Sequence, residues 1–161
     1  MKKLAARDFE DILQCCIPCF EGLLDPVNNE RIMDLLYTLA YWHGLAKMRL
    51  HTESSLALLE TATTRLGAEL RRFDAVTSQA FDTRETTAEA SARGRAAARR
   101  LAKKTPSSMP QKPHPSMAGR RRRRFNLRTI KTHSLGDYVR TIRRFGTTDS
   151  YNTQIVSNSS F

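Results

Sequence analysis

Three thiols, Cys15, Cys16 and Cys19, stand within five residues of one another, and closely spaced thiols are the first place to look for metal or redox chemistry. A tetrahedral zinc site takes four ligands, usually as two separated pairs. No second cysteine pair follows here, and His43 and His51 are the nearest other donors along the chain. Cys16 also falls on the apolar face of a helical pattern, where a small buried thiol is the expected occupant. Neighbours this close are a poor basis for a disulfide framework, so a reducing, intracellular compartment is expected. The histidines His43, His51, His114 and His133 form no HxxxH pair. His43 lies on an apolar stripe, the place of a core or boundary histidine. No glycine-rich phosphate loop, nucleophile elbow or zinc-hydrolase motif occurs. Acidic neighbours such as Asp8 and Asp11 read as one solvated helix face. The expectation is a chain with no metal, no cofactor and no enzyme activity.

The strong chemical signal is basic. The chain carries 27 Lys+Arg against 16 Asp+Glu, a net charge of +11. Residues 1–90 hold a net of −4 and residues 91–161 a net of +15, so the charge belongs to the C-terminal half. The candidate phosphate contacts are Arg95, Arg99, Arg100, Lys103, Lys104, Arg120, Arg121, Arg122, Arg123, Arg124 and Arg128. Guanidinium offers a planar fork of donors matched to phosphate oxygens. The expected partner is the phosphate backbone of DNA or RNA. No zinc finger, helix-turn-helix or RNA-recognition signature accompanies these residues, so nothing reads bases. Two other readings stay open. The sequence from Arg99 to Lys104, a proline-rich spacer and the arginine run form a two-part basic import signal that places the chain in the nucleus. A solvated charge run with no partner is the plainest reading.

The elements that must carry these residues are mainly helical. Phe9, Ile12, Leu13 and Cys16 share one face of a first helix, which Pro18 should kink or end. A second helix is expected with Asn29 as its N-cap and an apolar stripe through Ile32, Leu35, Leu36, Leu39 and Trp42. The third is the most regular, with Leu56, Leu59, Thr63, Leu66, Leu70 and Phe73 alternating spacings of three and four. That seam can pair with helix two, and it is also a candidate surface for homo-oligomers. The Asp82 to Glu85 spacing suits a capping box opening an alanine-rich basic helix. Residues 105–119 hold four prolines and read as an extended, disordered linker. Phe125, Leu127 and Ile130 suit a short extended piece. Ser134 and Asp137 have capping-box spacing, Leu135, Tyr138, Val139, Ile142 and Phe145 line one helical face, and Gly146 is placed to end it. No apolar run approaches the roughly 20 residues of a membrane-spanning helix.

The block "FNLRTIKTHSLGDYVRTIRRFGTTDSYNT" then carries a resemblance. Through Phe125, Asn126, Lys131, His133, Tyr138, Val139, Ile142, Gly146, Thr147, Asp149, Tyr151, Asn152 and Thr153 it resembles the C-terminal region of fungal Plavaka-type DNA transposases, in the Kyakuja–Dileera–Zisupton and CACTA-like group. The N-terminal helical stretch is similar to the family's helical region. The resemblance implies an RNase H-like catalytic core, with carboxylates holding two metal ions, that would lie upstream of this region. Where the family carries a glutamate this sequence has Gln154, which brings no carboxylate charge to a metal. No catalytic residue transfers, and the chain is expected to be a truncated, transposon-derived fragment.

The expected architecture is therefore a small helical bundle over residues 1–81 and a long basic helix over 82–104. A disordered Pro/Ser/Arg linker over 105–124 and a detached C-terminal helix within 125–161 complete it. The expected function is non-catalytic, non-specific binding of nucleic acid in the nucleus. The alternative is a helical interaction module that pairs with itself or with an intact transposase through the 56–73 seam.

Overall fold

The structure, a computed structural model, describes the backbone of residues 6–104 and 119–148 and the side chains of 8–100 and 119–148. The expected linker over 105–118, His114, and the segment holding Asp149, Tyr151, Asn152, Thr153 and Gln154 lie outside the described residues. The chain is mainly α-helical and divides into two compact units, Met1–Thr77 with Asn126–Phe161, and Ser78–Phe125.

The first unit is built on α1 (Ala6–Phe20), α2 (Pro26–Ala46) and α3 (Glu53–Arg72). Pro18 lies inside α1, which runs two residues beyond it. Only Leu13 and Cys16 of its expected apolar face are half-buried; Phe9 and Ile12 are exposed. The cap of α2 is Asp25 rather than Asn29. Its carboxylate accepts from the Asn28 amide at 3.2 Å and the Asn28 side chain at 2.8 Å, and these bonds hold its carboxyl below the ordinary range. Pro26 fits the first helical turn, where its missing N–H costs nothing. Thr52 caps α3 in a reciprocal box with Ser55. Lys47, the C-cap residue of α2, reaches Glu10 of α1 at 2.6 Å and ties the end of α2 to α1.

The core lies where the seam of α3 meets α2. Leu59 and Leu66 are fully buried, and Leu35, Trp42, Ala46, Leu56 and Ala62 close around them. Indole nitrogen needs an acceptor when buried, and Trp42 Nε1 donates to Thr63 Oγ1 at 2.8 Å. The seam residues Leu56, Leu59 and Leu66 thus serve the chain's own core.

The C-terminal helix α5 (Tyr138–Phe145) is part of this core, not detached from it. α4 (Thr87–Lys104) belongs to the second unit. Val139 and Ile142 of α5 are buried in the same cluster, and the Tyr138 ring meets Trp42 edge-on at 4.8 Å. Arg143 donates to Glu53 at 2.8 Å, and Thr148 Oγ1 donates to the Ala46 carbonyl at 3.1 Å. The reason is length. Eight residues make too short a helix to persist alone in water, so its apolar face must find a partner. A Thr129-capped turn, Ile130–His133, and a 3-10 turn, Ser134–Asp137, lead into it. The Ser134–Asp137 spacing forms no capping box; Asp137 takes Arg140 at 3.0 Å instead. Gly146 ends α5 at φ 88, a left-handed position that glycine adopts without strain.

Candidate nucleic-acid interface

The second unit, Ser78–Phe125, holds 13 Lys+Arg and 3 Asp+Glu, a net of +10. Nearly the whole net charge of the chain therefore sits in one unit. Its principal element is α4 (Thr87–Lys104). This helix starts later than the Asp82–Glu85 spacing implies, because Thr86 and Glu89 form the box instead. Thr86 N donates to Glu89 Oε2 at 2.8 Å, and Glu89 N donates to Thr86 Oγ1 at 3.2 Å. Alanine-rich sequence then propagates the helix.

Asp82 and Glu85 are engaged elsewhere, by arginine. The expected linker reaches to Arg124, but its last residues, from Gly119, are described and paired. They run antiparallel to residues 83–85, with one isolated bridge between Arg84 and Arg122. Glu85 N donates to the Arg121 carbonyl at 2.9 Å and Arg123 N to the Thr83 carbonyl at 2.7 Å. Extended backbone sends neighbouring side chains to opposite faces, which separates adjacent guanidiniums. Each face then meets an acid. Arg122 pairs with Asp82 at 3.3 Å and Arg123 with Glu89 at 3.2 Å. Arg120 Nε donates to the Glu85 carbonyl.

Glu85 is the centre of this arrangement. It is only 4% exposed, and a carboxylate so placed needs its lone pairs filled. Arg93 supplies Nη2 at 2.8 Å and Nε at 3.1 Å, and the Arg121 amide adds a bond at 3.2 Å. The Arg93 guanidinium above all holds the Glu85 carboxyl below its ordinary value of 4.5. Bonds from Thr86, and then Arg123, do the same for Glu89. A depressed carboxylate stabilises the folded unit fully above its ordinary value, and that contribution is lost as pH falls through the folded value. The pairing of 119–124 with 83–85 should thus hold at about pH 6, begin to weaken below the ordinary value of 4.5, and fail only as pH falls through the lowered folded values. The backbone amide shift of Arg123 in NMR reads this directly. Glu85→Gln should show the displaced shift already at about pH 6, and a Glu85→Gln shift identical to wild type at that pH contradicts the account.

The sequence-selected arginines thus fall into distinct groups. Arg120, Arg122 and Arg123 are spent inside the unit. Among the described residues, the guanidiniums of Arg95, Arg99, Arg100, Arg121 and Arg124 meet no acceptor, and all five residues are exposed. Lys103 and Lys104 continue α4, with side chains outside the described residues. Arg128 belongs to the other unit, where its amide donates to Asn126 Oδ1 at 2.9 Å. What a count of positive charge overlooks is the three acids, Asp82, Glu85 and Glu89, that determine which arginines stay available.

The first unit has a cleft of about 490 Å³ between α1, α2 and α5, with Glu10, His43, Lys47, Ser134 and Asp137 among its walls. Glu10 is matched by Lys47 and lies 3.9 Å from His43. Ser134 Oγ donates to the Ile130 carbonyl at 2.7 Å, so its hydroxyl is turned to its own helical turn and is not poised on a base as a nucleophile must be. Cys15, Cys16 and Cys19 are free thiols, and Cys16 donates to the Leu13 carbonyl. Among the described residues no group of three His, Cys, Asp or Glu side chains is gathered to hold a metal ion, and no helix is long and apolar enough to cross a membrane. No protein-family model matches the chain, and no curated protein or solved structure matches it significantly.

Proposed function

We propose that the chain is a non-catalytic, transposon-derived protein of the nucleus that holds the phosphate backbone of nucleic acid through its second unit. One observation carries the reading. The unit spends all three of its acids on arginines and still presents Arg95, Arg99, Arg100, Arg121 and Arg124 unpaired. The resemblance of the 125–153 block to transposases supports a DNA setting. Within that block, Val139 and Ile142 are core residues, Tyr138 packs on Trp42, and Gly146 ends a helix. These shared residues are therefore explained by folding, and phosphate contact is assigned to the other unit.

The salt dependence of binding tests the assignment. Each neutralised phosphate contributes a slope of about −0.9 to log K against log salt on duplex DNA. Five unpaired arginines give about −4.5, and the two lysines of α4 extend this to about −6.3. All eleven basic residues chosen from sequence would give about −10. Anisotropy titrations of a short duplex over about 50–300 mM salt separate these values. No binding at the lowest salt ends the proposal. Glu89→Gln is a sharper variant. Glutamine keeps the capping box but releases Arg123, so the slope should steepen by about 0.9 and affinity rise severalfold.

A further inference from the structure

The first unit holds another cleft, of about 400 Å³, between α3 and residues 127–136. Small-molecule sites span about 300–1,000 Å³. Arg71, Arg128 and His133 line this cleft, and among the described residues no carboxylate does. Elsewhere in the unit cations stand against acids: Lys47 meets Glu10, Arg140 meets Asp137 and Arg143 meets Glu53. The guanidiniums of Arg71 and Arg128 and the imidazole of His133 meet no partner among the described residues. Two like charges on one cleft with no counter-charge repel each other, and an anion between them removes that cost.

Gly67 places one of the two. Glycine weakens a helix interior, but here the space it leaves is used. A Cβ at Gly67 would stand 3.2 Å from Arg71 Nη1. The Arg71 guanidinium therefore lies back along α3, over the glycine, at the wall of the cleft. Leu70, Leu127 and Leu135 add apolar wall. Donors without an acceptor thus share a cavity with apolar surface, which suits an anion carrying an apolar body.

We infer that this cleft binds a small phosphomonoester with an apolar or aromatic body, of the size of a nucleoside monophosphate. Guanidinium forks match phosphate oxygens. A phosphomonoester presents three terminal oxygens, one for each of Arg71, Arg128 and His133, whereas a carboxylate presents two. The leucines take the body. The arginines proposed to hold the nucleic-acid backbone belong to the other unit, so neither reading depends on the other.

Calorimetry on the full chain at about 100 mM salt compares adenosine monophosphate with adenosine. The monophosphate should bind at least about 10-fold tighter, the effect of a hydrogen bond to a charged group. Arg71→Gln/Arg128→Gln should remove that advantage and leave adenosine affinity unchanged. Arg65→Gln/Arg72→Gln takes the same charge from α3 outside the cleft and should leave both affinities as they are. Gly67→Leu fills the cleft from α3 while favouring the helix. It should weaken monophosphate binding with a thermal midpoint no lower than wild type. A single strand with a terminal phosphate that displaces the monophosphate better than its terminal-hydroxyl counterpart identifies a strand end as the natural source; no such difference identifies the free nucleotide. Equal affinity for adenosine and its monophosphate, an advantage that survives Arg71→Gln/Arg128→Gln or Gly67→Leu, or an equal loss in Arg65→Gln/Arg72→Gln overturns the inference.

Discussion

Replacing Ile142 by alanine should lower the unfolding free energy of the helical unit by about 2–5 kcal/mol, the range for truncating a well-packed aliphatic side chain. Ile142 is 5% exposed and belongs to the cluster that contains Leu59, Leu66 and Trp42. Phe145, three residues on, is 66% exposed and sits beside Arg144. Phe145→Ala should change stability by no more than about 1 kcal/mol, the scale of an exposed cation–π contact. The contrast decides whether α5 is docked. A detached helix would make both substitutions silent. Urea denaturation followed by Trp42 emission suits the measurement, because the chain has a single tryptophan and Tyr138 lies against it. Ile142→Val should fall between the two, at about 0.5–1.5 kcal/mol. Equal midpoints for Ile142→Ala and wild type would refute the docked arrangement.

That docking shows what a one-dimensional pattern carries and what it omits. The seam of α3 was legible because spacings of three and four persist over several turns, and its buried residues Leu56, Leu59 and Leu66 are those the pattern marks. Periodicity says which face of a helix is apolar, but not what covers it. Val139 and Ile142 repeat as a core face should, yet their partners precede them by some 70 residues or more. Their brevity was the available clue. Phe9 and Ile12 show the reverse error, a periodic face left exposed at the edge of the bundle.

Capping residues were misassigned for a related reason. Asp82–Glu85 and Thr86–Glu89 both have the spacing of a capping box. Only competition separates them, and the competitor, Arg93, lies a full helical stretch away. Glu85 gains more from a guanidinium fork than from a helix cap, so the later pair starts α4. The arginine run was placed in a disordered linker for the same cause. Its acids come from a segment more than thirty residues earlier.

The largest binding effect should come from α4. Arg95→Ala/Arg99→Ala/Arg100→Ala removes three of the five unpaired guanidiniums, and alanine is the best helix former, so the helix persists. The salt slope should shrink by about 2.7, which at about 0.1 M salt is a loss of about 500-fold in affinity for duplex DNA. The matched triple Arg120→Ala/Arg122→Ala/Arg123→Ala removes the same formal charge from residues already engaged by the Glu85 carbonyl, Asp82 and Glu89. It should leave the slope within about one contact of wild type and instead release the 119–124 segment, visible as loss of the Arg121 and Arg123 amide pairings in NMR. Net charge alone predicts identical losses for the two triples. Unequal slopes, with the larger change on α4, follow only if carboxylates inside the unit have already chosen which arginines a phosphate can reach.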